Sequence, residues 1–293
     1  MDLNNTMNHK LTRRHFLEAV ASSGAALTGI QARVAAQQPA PAESRPAAII
    51  DAHVHLKHGD VAKTEYSPEV IVATMDKAGI ARSVVFAMST TTQRSIEMAE
   101  SAVKKYPDRL IPYLYALPHY ERPVIQEMKQ ALSARGFRGI KIHVSECTLA
   151  NYVVDPVLKL AGECGVPCLI DCGGKYDAAK RMAEAFPETS LIFAHMGRYL
   201  CTDRNLIGSF IGLAEACRNV FLDVSGVVLL DMIEVAVRRI GSSRLIWGTD
   251  GPDKKPDTAT FARTELDKIR QSSLSDQDKN NILGQTILRL LRL

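Results

Sequence analysis

The chain has 293 residues, of which 23% are charged and 6% aromatic, and a formal net charge of +4. A chain of this length can bury a sizeable core. So small a positive balance, with no basic patch, argues against a nucleic-acid partner.

Read in chain order, the first feature is Thr12-Arg13-Arg14-His15-Phe16-Leu17, followed by a weakly apolar stretch from Ala19 to Ile30 and the small-residue run Ala32-Arg33-Val34-Ala35-Ala36. The pattern resembles a twin-arginine export signal with cleavage near Ala36. Its apolar part is too short and too rich in Gly, Ser and Thr for a stable membrane span. Residues 1–36 are therefore assigned to the signal, 37–46 to a Pro-rich linker and 47–293 to the folded domain. The expected partner of the signal is the twin-arginine machinery, and the expected location is the periplasm or another exported site. The signal carries four basic residues against two acidic ones, so the mature chain keeps a charge of only +2. Six cysteines, at 147, 164, 168, 172, 201 and 217, form no CxxC pair, which argues against a structural zinc knot. Export of an already folded chain favours buried, reduced thiols.

From residue 47 onward short apolar runs alternate with longer amphipathic ones. Strands are predicted at Ala47 to Leu56, Ala81 to Met88, Arg109 to Leu117, Phe137 to Val144, Val166 to Cys172, Ser190 to Met196, Val220 to Ser225 and Arg244 to Asp250. Helices are predicted at Pro68 to Ala78, Arg94 to Tyr106, Val124 to Ala134, Pro156 to Cys164, Ala178 to Phe186, Leu206 to Cys217 and Leu230 to Ile240. Several end at Gly79, Pro107, Gly136, Gly165, Pro187 or Gly241, as helix stops should. The stretch from Thr260 to Leu293 reads as a closing helix and a cap. Strands rich in Ile, Val, Leu and Phe without clean alternation imply burial on both faces of a parallel sheet. Eight β/α units in this length fit a single-domain (β/α)8 TIM barrel. An open doubly wound sheet would carry a Gly-rich turn after its first strand, where His53-Val54-His55 stands.

Four pieces place metal-competent or proton-transferring side chains at predicted strand ends: Asp51-Ala-His53-Val-His55, Ile170-Asp171, Ala194-His195 and Thr249-Asp250. Residues two apart on a strand share a side, so His53 and His55 can hold one ion. Taken alone, the pair can equally be two surface histidines, or core histidines satisfied by carbonyls. In a barrel, however, chemistry sits at the C-terminal strand ends, where all four pieces fall. If His143 faces the interior, Lys141 and Gly139 share that side and Ile140 and Ile142 face the helices. Lys141 is then either a substrate contact or a buried lysine paired with a carboxylate. His58 reads as a solvated residue of the first loop.

With these pieces in order, the chain resembles the amidohydrolase superfamily, specifically the amidohydrolase-2 branch of aminocarboxymuconate-semialdehyde decarboxylase-like enzymes. The matching segments are Ile50–His55, Gly139–His143, Gly165–Gly173, Leu191–Arg198, Leu245–Pro252 and the closing run from Gly284, which together span the mature chain. The resemblance implies a single divalent metal ion held by His53, His55 and Asp250, with a fourth ligand after the fifth strand. That position departs from the family pattern, which has histidine where this chain has Asp171. An aspartate binds the same ions through oxygen. The extra negative charge weakens the ion as a Lewis acid and moves preference towards harder ions. Zn2+ is the leading expectation, with Mn2+ and Mg2+ as alternatives. His195 matches the branch's proton-transfer position and suits it, since imidazole has an unperturbed pKa of about 6.5. Arg198 can fork onto a substrate carboxylate or form a loop salt bridge.

The expected activity is metal-dependent hydrolysis of a small carboxylated, lactone or amide substrate, with His195 and Asp250 catalytic and Lys141, His143 and Arg198 contacting substrate. A non-oxidative decarboxylase with the same ligands is the alternative. A metal-free lactonase or an inactive exported binding protein is the third reading.

Overall fold

The computed structural model describes residues 48–293 apart from Tyr120, so the expected signal and linker lie outside the described residues. Eight parallel strands, β1 (Ile50–Lys57), β2 (Arg82–Ala87), β3 (Leu110–Tyr115), β4 (Gly139–His143), β5 (Cys168–Asp171), β6 (Leu191–Phe193), β7 (Val220–Asp223) and β8 (Leu245–Ile246), pair in chain order. Between them lie α1 (Pro68–Ala78), α2 (Thr92–Lys105), α3 (Ile125–Ala134), α4 (Asn151–Cys164), α5 (Tyr176–Ala185), α6 (Arg204–Ala216) and α7 (Asp231–Ile240). Backbone bonds from Ala52 N to the Trp247 carbonyl (3.2 Å) and from His55 N to the Gly251 carbonyl (2.7 Å) draw the end of the sheet back to β1. The result is a nearly closed (β/α)8 barrel, as the β/α alternation predicts.

Local chemistry explains the helix limits. Ser67 caps α1 by accepting from Val70 N, Pro68 occupies the first turn, and Gly79 ends the helix at φ 76°. The predicted start of α4 at Pro156 is too late. The helix begins at Asn151 because Val153 and Val154 are buried and add an apolar turn. Proline inside the helix removes one N–H, whose acceptor would be the carbonyl of Tyr152, itself exposed. All six cysteines are unpaired thiols, four of them buried.

The apolar residues form two layers. Val54, Leu56, Val85, Ile140, Ile142 and Phe193 pack outward against the helices. Ile50, Ala52, Phe86, Tyr113, Leu169 and Ile246 fill the barrel. Gly139 faces inward as expected, and only a glycine fits there, since a Cβ would lie 2.3 Å from the Tyr113 ring. After α8 (Thr258–Arg270) and α9 (Asp276–Asn280), a π-turn at Asn281–Gln285 leads into α10 (Thr286–Leu291). Ile287 and Leu291 join the interior cluster, so this segment is the cap read from the sequence. Gly284 allows it to close, because a Cβ there would sit 2.2 Å from the Ala48 carbonyl oxygen.

One irregularity of β1 governs the site above it. Ile50 and Asp51 pair with Arg82 and Ser83, yet Val54 pairs with Val85, so Ala52 and His53 stand opposite Val84 alone. This two-against-one bulge reverses which side the following residues face. Ile50 and Ala52 point into the barrel before it, and His53 and His55 do so after it. Asp51 is thereby sent to the other face. There it accepts from His53 N (3.1 Å), Thr249 N (2.9 Å) and Thr249 Oγ1 (2.7 Å), fastening β1 to the chain beyond β8. Burial pushes the Asp51 carboxyl up to about 7, against the pull of those bonds.

Thr249→Val should lower stability by about 1–3 kcal/mol, because it strands a buried carboxylate oxygen. Thr249→Ser should retain most of it. Urea midpoints compare the three proteins, and equal values for valine and wild type would show that the clip contributes nothing.

Candidate metal centre at the barrel mouth

His53 and His55 reach the mouth from β1. His195 lies just beyond β6, in a 3-10 turn, and Asp250 lies beyond β8; both predicted strands end earlier than their apolar runs suggested. His195 and Asp250 both have φ of 58°, in the left-handed region that non-glycine residues seldom occupy.

The side chains converge. One ligand atom each from His53, His195 and Asp250 lies within 4.8 Å of the others, a group that can hold a metal ion. Asp250 Oδ1 is 3.0 Å from His53 Nε2 and 2.9 Å from His55 Nε2, which brings His55 to the same centre. His195 Nδ1 is 2.9 Å from the Ser225 carbonyl. A carbonyl only accepts, so Nδ1 carries a proton and Nε2 is the nitrogen that faces the centre. Ser225 Oγ in turn bonds Asp223, whose Oδ1 also accepts from His195 N at 3.1 Å. Asp223 Oδ2 stands 3.4 Å from His53 Nδ1, the carboxylate that orients this imidazole from behind.

Asp171 sits to one side. Its Oδ2 is 3.0 Å from His143 Nε2 and 3.5 Å from His195 Nε2, and its Oδ1 accepts from Gly173 N. It therefore reaches the centre through His195, whereas His195, expected as a proton-transfer residue, stands among the metal-competent atoms themselves. Lys141 is fully buried and faces inward as parity requires. Its partner is not a carboxylate but His53 Nε2, 2.9 Å from Nζ, with the Phe86 ring beneath at 5.2 Å.

Charge supplies the test of fit. Asp171, Asp223 and Asp250 bring three carboxylates to a space where Lys141 is the one ammonium among the described residues. Buried charge is costly unless compensated. The shortfall of two positive charges matches a divalent cation, or two protons on the imidazoles. The electrostatics of the individual groups point the same way. Burial disfavours a charged His195, yet Asp250, Asp171 and Asp223 outweigh it and push the imidazole up to about 9. Burial holds His55 well below the usual histidine range and pulls Lys141 down as well. For Asp250, burial is overcome by His53 and His195, which keep the carboxyl far below its ordinary value. The donor set fits a divalent ion.

A family model described as Amidohydrolase matches residues 50–293. The chain belongs to the amidohydrolase family. A comparison with curated protein sequences returns no match. Among solved structures, a probable 2-pyrone-4,6-dicarboxylic acid hydrolase from Acinetobacter baumannii with citric acid bound superposes with a TM-score of 0.66 at 17% identity, covering 84% of this chain and 99% of that one. An amidohydrolase from Burkholderia multivorans with bound zinc gives 0.68 at 14%, covering 84% and 100%. The 5-carboxyvanillate decarboxylase of Sphingomonas paucimobilis gives 0.63 at 15%, covering 84% and 99%. Likeness at this identity is likeness of fold.

The mouth of this amidohydrolase opens into a cleft of about 470 Å3, bordered by His58, Tyr66, Tyr199, Asp250, Lys254 and Lys255. His58 is not merely solvated. It stacks on His55 with ring centroids 4.3 Å apart and donates to the Pro252 carbonyl at 2.9 Å. Tyr199 meets His195 edge-on at 5.0 Å. His143 is half-buried against Asp171 and Ser145, while Arg198 is exposed and lies beside Gly174, outside the cleft lining. Asp223 and Ser225 escaped the sequence reading, although Phe221-Leu222-Asp223 is a fifth strand end with a metal-competent side chain, a carboxylate like those at Asp171 and Asp250. Gly248 also belongs to the site, since a Cβ there would lie 2.6 Å from His53 Cβ and 3.3 Å from Asp223 Oδ2.

Gly248→Ala should therefore push His53 off Asp223, with a stability loss of about 1–3 kcal/mol from overpacking. A fall in bound divalent metal, read by elemental analysis of the folded variant, should accompany it. Wild-type metal content would show that His53 needs no such clearance.

Proposed function

We propose that this amidohydrolase is a divalent-metal-dependent hydrolase of small carboxylated, lactone or amide substrates. The observation that carries the reading is the convergence of His53, His195 and Asp250 within 4.8 Å at the C-terminal mouth of the barrel. His53, His55 and Asp250 would hold the ion, and Asp171, the fourth ligand expected from the sequence, stands beside it with Oδ2 against His143 and His195; Zn2+ is the leading candidate and Mn2+ or Mg2+ the alternatives. Such an ion, when bound, polarises a substrate carbonyl and acidifies water.

The residues divide the remaining work. Of the three carboxylates at the centre, Asp171 and Asp223 are buried and Asp250 is partly exposed and borders the cleft, so it takes the proton of the attacking water. His195, its Nδ1 committed to Ser225, keeps Nε2 for proton exchange with the reacting group. Lys141 holds His53 from inside the barrel and reaches substrate only at the deepest point of the site. His143, half-buried on Asp171, offers a polar contact at its edge. The acid named for the Acinetobacter neighbour, 2-pyrone-4,6-dicarboxylic acid, is the first compound to assay.

In tag-free protein, one divalent ion per chain and a loss of turnover of at least about 100-fold in Asp250→Asn, with an unchanged circular dichroism spectrum, are expected. Unchanged turnover in Asp250→Asn would sink the hydrolase reading. The fold shared with 5-carboxyvanillate decarboxylase supports a second reading, proton delivery to carbon with release of carbon dioxide, and gas release in place of water addition would select it. Well-folded protein without metal would favour a metal-free lactonase or a binding protein.

We further propose export through the twin-arginine route. Arg13→Lys with Arg14→Lys should retain the protein in the cytoplasm on cell fractionation, whereas the unsubstituted chain should reach the exported fraction.

A further inference from the structure

We infer that Lys254 and Lys255, on the loop between β8 and α8, form an anion-binding subsite at the outer end of the cleft that takes a second carboxylate of the substrate. The inference rests on the reading of the cleft as the substrate site. Five charged side chains border it: Asp60, Asp250, Asp253, Lys254 and Lys255. The two outer carboxylates are committed to their own loops. Asp60 accepts from Thr64 N and Thr64 Oγ1, both at 2.8 Å, and Asp253 Oδ1 accepts from Lys255 N at 2.9 Å. The ammonium groups are not committed in this way. Lysines 57, 105, 159, 180 and 268 form ion pairs, and neither Lys254 nor Lys255 pairs with a described residue. The two ammonium groups therefore bring unspent donors to this end of the cleft, and the match of a donor pair is an anion.

The loop that carries them is anchored at both ends. His58 Nε2 donates to the Pro252 carbonyl at 2.9 Å, and Asp257 caps α8 through Ala259 N and Thr260 N, both at 3.0 Å. Proline at 252 and 256 restricts φ on either side of the pair. Lys254 Nζ lies 5.5 Å from the centre of the buried Tyr66 ring, which steadies the ammonium without neutralising it. The cleft then has two chemically different ends. Its inner end holds Asp250 and the histidines, and its outer end holds a pair of cations. Arg198, the expected carboxylate fork, lies outside the lining and leaves this role to the lysines.

The test is calorimetric titration of the full protein with the α,ω-dicarboxylates from malonate to adipate and with their monomethyl esters. In the wild type at least one dianion should bind about 10-fold or more tightly than its monoester. The ratio should fall below about 2 in Lys254→Gln/Lys255→Gln and persist in Lys254→Arg/Lys255→Arg. A ratio near 1 in the wild type for every chain length, or an undiminished ratio in the glutamine variant, would overturn the subsite. Metal content measured on the same samples separates the two readings. A lysine-dependent preference in protein that holds no metal supports the subsite while removing the metal-dependent hydrolase.

Discussion

Three carboxylates held inside one barrel, with a single ammonium for company, set the terms on which the mouth of this protein is built. Asp171, Asp223 and Asp250 approach four histidines from different strand ends, and two of the three are anchored by further donors that fix their position. Asp223 accepts from His195 N, Ser225 N and Ser225 Oγ, and Asp171 from Gly173 N. Burial raises the energy of every one of these charges, and proximity to imidazole and to Lys141 lowers it again. The balance calls for two further positive charges, a divalent cation or protonated imidazoles, and this is what makes the centre a candidate metal site.

Holding such groups together requires irregular backbone. The bulge in β1 exchanges the faces of Asp51 and His53, so that one carboxylate leaves the site and two imidazoles enter it. Left-handed residues at 195 and 250, beyond the ends of β6 and β8, carry two of the side chains that meet at the centre. Gly248 removes a Cβ that would separate His53 from Asp223, and Gly226 at φ 61° makes room for the Tyr199 ring, 2.4 Å from where a Cβ would stand. These departures cluster at the C-terminal ends of the strands, while the opposite end is regular and closed by the apolar cap of α10. Strain stored on one face is supported by packing on the other.

Much of the barrel was legible from local signals. The helices before Gly79 and Gly165 end where a left-handed glycine ends them, and the inward parity of Gly139 and Lys141 followed from alternation along β4. The start of α4 was not legible, because proline is favoured at a first turn and unfavourable inside a helix, so local rules place the start at Pro156 where tertiary burial of Val153 and Val154 extends it. At the site, His53, His55, His195 and Asp250 were found by type and strand-end position. Asp223 carried a signal of the same kind and was passed over with Ser225, and the part played by His58 depends on a stacking contact with His55 that no spacing rule encodes.

The order of side-chain types along the chain determines the alternation of strand and helix, the two-sided burial of the sheet, and the presence of imidazoles and carboxylates at strand ends, because these follow from periodicity and local propensity. Tertiary structure decides which of those groups meet. Register is set by pairing with a neighbouring strand, so only the assembled sheet reveals the bulge that puts Asp51 outside and His53 inside. Closure of the barrel brings Asp250 to His53 across 197 positions of sequence, a distance along the chain that no local rule can span. The same closure takes Arg198 out of the cleft and brings Lys254 and Lys255 into it, because loop positions follow from the strands that anchor them.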